Sequence, residues 1–456
     1  MTEPDDPFDT WLHGQVDPLR PPPGTFNQIS KRAQRRKMRR AAMSAASAGA
    51  AAALIVVAVV AVPKLVPSLH TTPKPAADSV MSPPKLSPSQ RPATTPVTKT
   101  PMSSAATSTG TPGVAADFAP SSVTFITLDT GYVIGQAPDC GAADCTSMAE
   151  TGDAGKTWAS VPAPQTGAPD GSTGVSQVRF LDTDHGWAFG PQLYQTGDGG
   201  QSWQPVDTFG LRVTGLETVG NMAYAVFAQC SGSGASYGAD CKHVSVYSSP
   251  VGSDTWTPMT GLQSLGFNQG YVSGKIVLTH GEGYFYAPDG LLYGGSTSQG
   301  SAWTQLGTAA LPCQPSNGSA DGGPTGGQLA ASAAGHLALA CPGTSGSNQE
   351  DIYTSIDNGL SWQELAVVTV AGSPTSLAAG TSGVLTLSTT GGIYASQANG
   401  VKWSQVLQGP AGGFSYVGLT SATQGVAVPA EPAQSNSVWF TFDGGSGWTP
   451  SSIKKS

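Results

Sequence analysis

Four aspartates, Asp153, Asp198, Asp357 and Asp443, each stand five residues before a tryptophan, with a glycine two residues after the aspartate. A carboxylate recurring at fixed spacing could hold a cation or serve acid/base chemistry, provided several of them converge on one point. Copies spread along a chain do not converge by themselves, so the reading they support first is structural. His185, His243, His280 and His336 show no His-x-x-x-His spacing and no Cys-x-x-Cys accompanies them, so neither a metal nor a cofactor is expected. Six cysteines, Cys140, Cys145, Cys230, Cys241, Cys313 and Cys341, form an even set that suits three disulfides in an oxidising compartment. No residue set reads as catalytic.

The aspartates and tryptophans belong to a longer repeat. The segments TGDAGKTW (151–158), TGDGGQSW (196–203), SPVGSDTW (249–256), STSQGSAW (296–303), SIDNGLSW (355–362), SQANGVKW (396–403) and TFDGGSGW (441–448) align without gaps. They end on Trp158, Trp203, Trp256, Trp303, Trp362, Trp403 and Trp448, at intervals of 45, 53, 47, 59, 41 and 45 residues. Each interval suits one four-stranded propeller blade. Upstream, VTFITLDTGYVIG (123–135) and VRFLDTDHGWAFG (178–190) each read as two short strands around a turn, and 376–388 and 416–428 are weaker copies. A unit therefore runs strand A, turn, strand B, loop, strand C, Asp/Gly turn and strand D. One such sheet cannot bury both faces alone, so the units must stack around an axis. The expectation is an all-β, seven-bladed β-propeller over 118–452, with 453–456 as a tail.

At these residues the chain resembles the Asp-box, or bacterial neuraminidase repeat, family, which includes sialidases, sortilin-type receptors and photosystem II assembly-factor-type propellers. Val251, Ser298 and Ala398 replace the aspartate in three copies, where looser turns are expected. In the others the carboxylate is expected to accept backbone N–H groups two residues on, the glycine to be left-handed, and the tryptophan to cover the hairpin's apolar edge. The resemblance implies sialidase as an activity to test. Those enzymes grip a carboxylate with three arginines, and residues 118–456 contain only Arg179 and Arg212, so sialidase activity is not expected. The arginine-rich patch of the photosystem-type propellers is missing too.

Residues 31–40 (KRAQRRKMRR) carry seven basic groups, and no charge follows from Ala41 to Val62. Twenty-two residues at about 1.5 Å each make a helix of roughly 33 Å, long enough to cross a bilayer. The basic flank places residues 1–40 in the cytoplasm and the rest outside, as a single-pass membrane protein. A cleaved leader, with small residues near Ala61, is the competing reading. Residues 63–117 hold 11 Pro and 17 Ser or Thr and read as a disordered linker or stalk. The whole chain has 456 residues and a net charge of −8, but residues 118–456 alone carry −14, which argues against nucleic acid or an anionic lipid surface as a partner.

In propeller topology the B–C and D–A loops share one face, and here they are long: 136–148, 229–242, 308–328, 341–351 and 429–437. Cys140–Cys145, Cys230–Cys241 and Cys313–Cys341 is the pairing this topology favours. Long stapled loops on a rigid scaffold suit recognition, which makes Asp139, Asp144, Tyr237, Asp240, Glu350 and Asp351 the candidate binding residues. The functional expectation is a membrane-anchored extracytoplasmic module that binds an envelope protein or glycan. One alternative is a carbohydrate-active hydrolase with a carboxylate pair in the central funnel. Another is a signalling protein whose tail, with Asp5, Asp6, Trp11 and Arg20, docks a cytoplasmic partner such as a sigma factor.

Overall fold

The computed structural model describes residues 118–453, apart from 138–144, 168–172, 231–240, 254, 267–273, 308–310, 314–326, 334, 344–347, 398–399 and 431–435. The tail, the span at 41–62 and the linker lie outside the described residues, and no described helix is long and apolar enough to cross a membrane. Seven antiparallel sheets follow one another along the chain, each with its four strands in sequence order. Blade 3 adds a fifth strand, Leu265–Gly266, against its strand C. All seven tryptophan-ended segments fall on the turn between strands C and D, and the irregular copies of blades 3 and 4 divide where the repeat predicts.

Side-chain alternation builds the core between blades. Each of seven apolar clusters joins two neighbouring sheets and includes the turn tryptophan of the sheet that follows around the ring, blade 1 following blade 7. Trp303 of blade 4 stacks on Tyr224 of blade 3 at 5.4 Å, and Trp158 of blade 1 packs with Val426 and Phe440 of blade 7. The tryptophan is thus a spacer between blades rather than a cover for its own hairpin. The ring closes between blades 7 and 1 through such packing: every strand of blade 1 comes from the start of the domain and every strand of blade 7 from its end. Gln424 donates to the Leu128 carbonyl across this seam at 2.6 Å.

The turns hold their aspartates as internal clamps. Asp153 Oδ1 accepts the Thr157 N–H at 2.8 Å and its Oδ2 the Thr157 hydroxyl at 2.6 Å, while the Thr151 hydroxyl accepts the Gly155 N–H at 2.8 Å. Asp198 and Asp357 repeat the set, and Asp443 keeps it except for a hydroxyl at Gly447. The carboxylate therefore reaches the residue four positions on, not two, because the hydroxyl two residues before it already accepts the glycine N–H. Gly155, Gly200, Gly359 and Gly445 are left-handed, as expected, with φ between 79° and 93°. These bonds hold the Asp153, Asp357 and Asp443 carboxyls below their ordinary pKa; for Asp357, where the Ser361 hydroxyl and N–H dominate, the value falls to about 2.

Candidate functional site

In a propeller the innermost strands line the axis, so their side chains decide what the centre can hold. Strand A is Gln328–Ala333 in blade 5 and Pro374–Ala379 in blade 6, rich in Ala and Ser, which leaves space. The facing arc is polar: Ser122, Arg179, Glu217, Lys275 and Tyr416 sit on the A strands of blades 1, 2, 3, 4 and 7. A cavity of about 610 Å³ opens where these strands end, on the face of the A–B and C–D turns. Backbone bonds such as Ala154 N–H to Asp129 O (2.9 Å) and Gly199 N–H to Asp184 O (2.9 Å) tie the two kinds of turn together, so the mouth is rigidly framed.

Arg179 is the hub. Its Nε and Nη2 both donate to Glu217 Oε1 at 3.0 Å, its Nη1 donates to the Val178 carbonyl at 2.8 Å and to Ser122 Oγ at 3.3 Å, and the guanidinium lies 5.8 Å from the Tyr416 ring centre. Burial works against the Arg179 charge, but Glu217 and the Tyr416 oxygen more than offset it and hold its pKa above the ordinary arginine value. Glu217 Oε2 receives no hydrogen bond among the described residues. Lys275, on the next blade, makes no hydrogen bond and no ion pair within 4.0 Å among them. Burial brings its pKa down to about 8, with Glu217 opposing and Arg179 adding to the fall. Burial also raises the Tyr416 hydroxyl. The funnel thus holds one fully engaged cation, one carboxylate oxygen to spare, and a second cation whose charge is uncompensated at close range.

None of the sequence-predicted candidates is among the described residues that line this cavity. Asp139, Asp144, Tyr237 and Asp240 are outside the described residues, as is Cys140. Cys230–Cys241 and Cys313–Cys341 are bonded as the topology favoured. Glu350 and Asp351 lie in strand C of blade 5, paired with Pro342 and Cys341, and are buried rather than displayed on a loop. Burial first, then Asp351, pushes the Glu350 carboxyl up to about 8, and its Oε2 is buried without a hydrogen bond. His185 bonds Asp182 at 3.0 Å in the blade 2 turn, and no metal-binding cluster of His, Cys, Asp or Glu occurs among the described residues. Ser122, Glu217, Lys275 and Tyr416 were not singled out from the sequence, and Arg179 entered only as one of two arginines. The signal was present as a charge on an innermost strand, where an apolar or small residue is the norm.

No protein-family model and no curated protein sequence matches the chain. Among solved structures it is similar to YCF48 bound to a D1 peptide, at 16% identity over 73% of this chain and 95% of that one, with a TM-score of 0.48. It is also similar to PorZ, a surface component of the type-IX secretion system of Porphyromonas gingivalis, at 12% identity over 75% of this chain and 39% of that one (TM-score 0.45). A third similar structure is the GH74 xyloglucanase of Xanthomonas campestris, at 12% identity over 74% and 73% (TM-score 0.28). At these identities and scores the likeness stops at the general architecture.

Proposed function

We propose that this chain is a membrane-anchored extracytoplasmic propeller that binds an envelope protein or glycan, in assembly or sensing, rather than transforming it. The observation that carries the reading is the funnel, where Arg179, Glu217 and Tyr416 line an open cavity inside a closed ring, one Glu217 oxygen is to spare, and the Lys275 ammonium on the next strand lies near enough to feel the charges of both Glu217 and Arg179. Such a site is organised before the ligand arrives, so little ordering cost opposes binding. Glycoside hydrolysis calls for two carboxyl groups about 5 to 10 Å apart. Among the described residues of the funnel lining Glu217 is the sole acid, and it is committed to Arg179. Two disulfides accord with an oxidising compartment, and residues 31–62 supply the anchor.

The test is retention of the purified full-length chain on cell-envelope fractions separated into wall glycan and membrane protein, with sugar release followed in the same samples. Retention without released sugar is expected, weakened at least tenfold by Lys275→Met. That variant keeps its fold, since Lys275 has no bond to lose. Released sugar, or retention indifferent to Lys275→Met, would overturn the reading.

A further inference from the structure

The C–D turns of blades 5, 6 and 7 display exposed large apolar side chains, and among the described residues those of blades 1 to 4 do not. Ile356 and Leu360 on blade 5, Val401 on blade 6 and Phe442 on blade 7 all lie in C–D turns and are between 50% and 78% exposed. Leu128, in the A–B turn of blade 1, is 53% exposed and continues the row across the ring seam. The equivalent C–D positions in blades 1 to 4 are Gly152 and Lys156, Gly197 and Gln201, Pro250 and Asp254, and Thr297 and Ser301. The turn forms with either kind of residue, and Phe442, although it stacks on Phe440 at 6.0 Å, keeps more than half of its surface in water. Apolar surface on successive blades is what association would remove from water.

A groove of about 600 Å³ interrupts the arc between blades 6 and 7; Val384, Val406, Ala395 and Ala422 are its apolar lining, and serines and Asp443 make up most of the rest. Phe442 adjoins Asp443, and Val401 belongs to the turn that joins the two strands of blade 6 lining the groove. The charges around the arc are predominantly acidic. Asp357 and Asp443 stand within it, and Lys402, beside Val401, is the sole Lys or Arg among the described residues of blades 5 to 7. The hydrogen bonds around Asp357 keep that carboxylate ionised over the whole physiological range. A domain of charge −14 repels a second copy of itself and an anionic membrane alike.

We infer that the short-turn face of blades 5 to 7 is a docking surface for a partner-protein segment that carries apolar anchors and basic side chains. One anchor enters the groove between blades 6 and 7, while the others cover Ile356 and Leu360 and the basic groups face Asp357 and Asp443. This surface is separate from the funnel and does not depend on what the funnel binds.

Fluorescence anisotropy tests it with the full-length chain in phosphatidylcholine nanodiscs and three labelled 12-residue peptides, built of Leu and Lys, of Leu and Glu, and of Ser and Lys. The Leu/Lys peptide is expected to bind at least tenfold more tightly than the other two and to weaken as salt rises from 0.05 to 0.5 M. Substituting Ile356→Thr, Leu360→Ser, Val401→Ser and Phe442→Thr together, towards the residues of blade 4, should remove at least tenfold of that affinity while a single cooperative thermal transition is kept. Equal binding of the Leu/Glu peptide, binding undiminished in the quadruple variant, or no binding of the Leu/Lys peptide would overturn the proposal. So would cross-linking of two copies that the quadruple variant abolishes, which would assign the arc to self-association.

Discussion

In blade 2 the C–D turn is closed by Asp198, whereas in blade 4 Ser298 stands at the same place. Asp198 gathers the Thr196 hydroxyl, the Ser202 N–H and the Ser202 hydroxyl at 2.8, 2.9 and 2.6 Å. Ser298 has only the Ser296 hydroxyl at 3.1 Å, and its carbonyl accepts the Ser301 N–H at 3.1 Å. Yet Gly200 and Gly300 are equally left-handed, at φ 82° and 76°, and both tryptophans reach the preceding blade. Trp203 donates to Pro162 O of blade 1 at 3.0 Å, while Trp303 is wholly buried on Tyr224 and donates to Ser296 O of its own turn at 3.1 Å. The blade is therefore specified by the glycine and the tryptophan. The aspartate tightens a turn that already forms.

If that ordering is right, the tryptophan of the turn without aspartate should matter most. Trp303→Ala deletes a fully buried indole at the junction of blades 3 and 4 and should cost about 3–5 kcal/mol, the range for large aromatic-to-alanine changes. Urea unfolding measures it. A loss near 1 kcal/mol would mean that blade 4 is held by something other than its tryptophan.

The same ordering explains which parts of the molecule were legible in the sequence. Glycine and tryptophan act locally or at fixed spacing, so seven blades, their strand order and the division of blades 3 and 4 could be read from the repeat. Two disulfides followed from topology once the blades were placed. The tryptophan's true neighbours were hidden, because they belong to the preceding repeat and depend on how sheets stack. The funnel was hidden for a stronger reason. Arg179 and Glu217 are 38 residues apart on different blades, and only closure of the ring brings Tyr416, near the end of the chain, against them. Loop length pointed to the opposite face, yet a cavity needs small residues on the inner strands, and the Ala and Ser of blades 5 and 6 were the quieter signal.

A smaller effect should come from the clamp itself. Asp198→Asn keeps the shape but exchanges charge-assisted hydrogen bonds for neutral ones, so a loss of about 1 kcal/mol is expected at pH 7. Hydrogen bonds from Ser202 and Thr196 outweigh burial and lower the Asp198 pKa in the folded chain. A group with a depressed folded pKa contributes stability above its unfolded pKa and loses it as pH falls through the folded value. The gap between wild type and Asp198→Asn should therefore be full above pH 5 and shrink steadily below pH 4. Chemical denaturation at a series of pH values measures it, and a gap that stays constant down to pH 2 would show that charge at Asp198 is irrelevant.

The smallest change runs in the opposite direction, by installing the clamp where it is missing. Blade 4 already has the left-handed Gly300 and the Ser296 hydroxyl, so Ser298→Asp enters a turn of the right shape. Position 302 is alanine, however, and offers the carboxylate an N–H but no hydroxyl. Ser298→Asp alone should add about 0.5 kcal/mol, and Ser298→Asp with Ala302→Thr about 1 kcal/mol, in line with one and two further net hydrogen bonds. Urea midpoints of the two variants read this directly. Equal gains would place the effect on the N–H alone. A gain in neither would mean that Trp303, by burying itself fully and bonding its own turn, has already taken over what the aspartate does in blade 2.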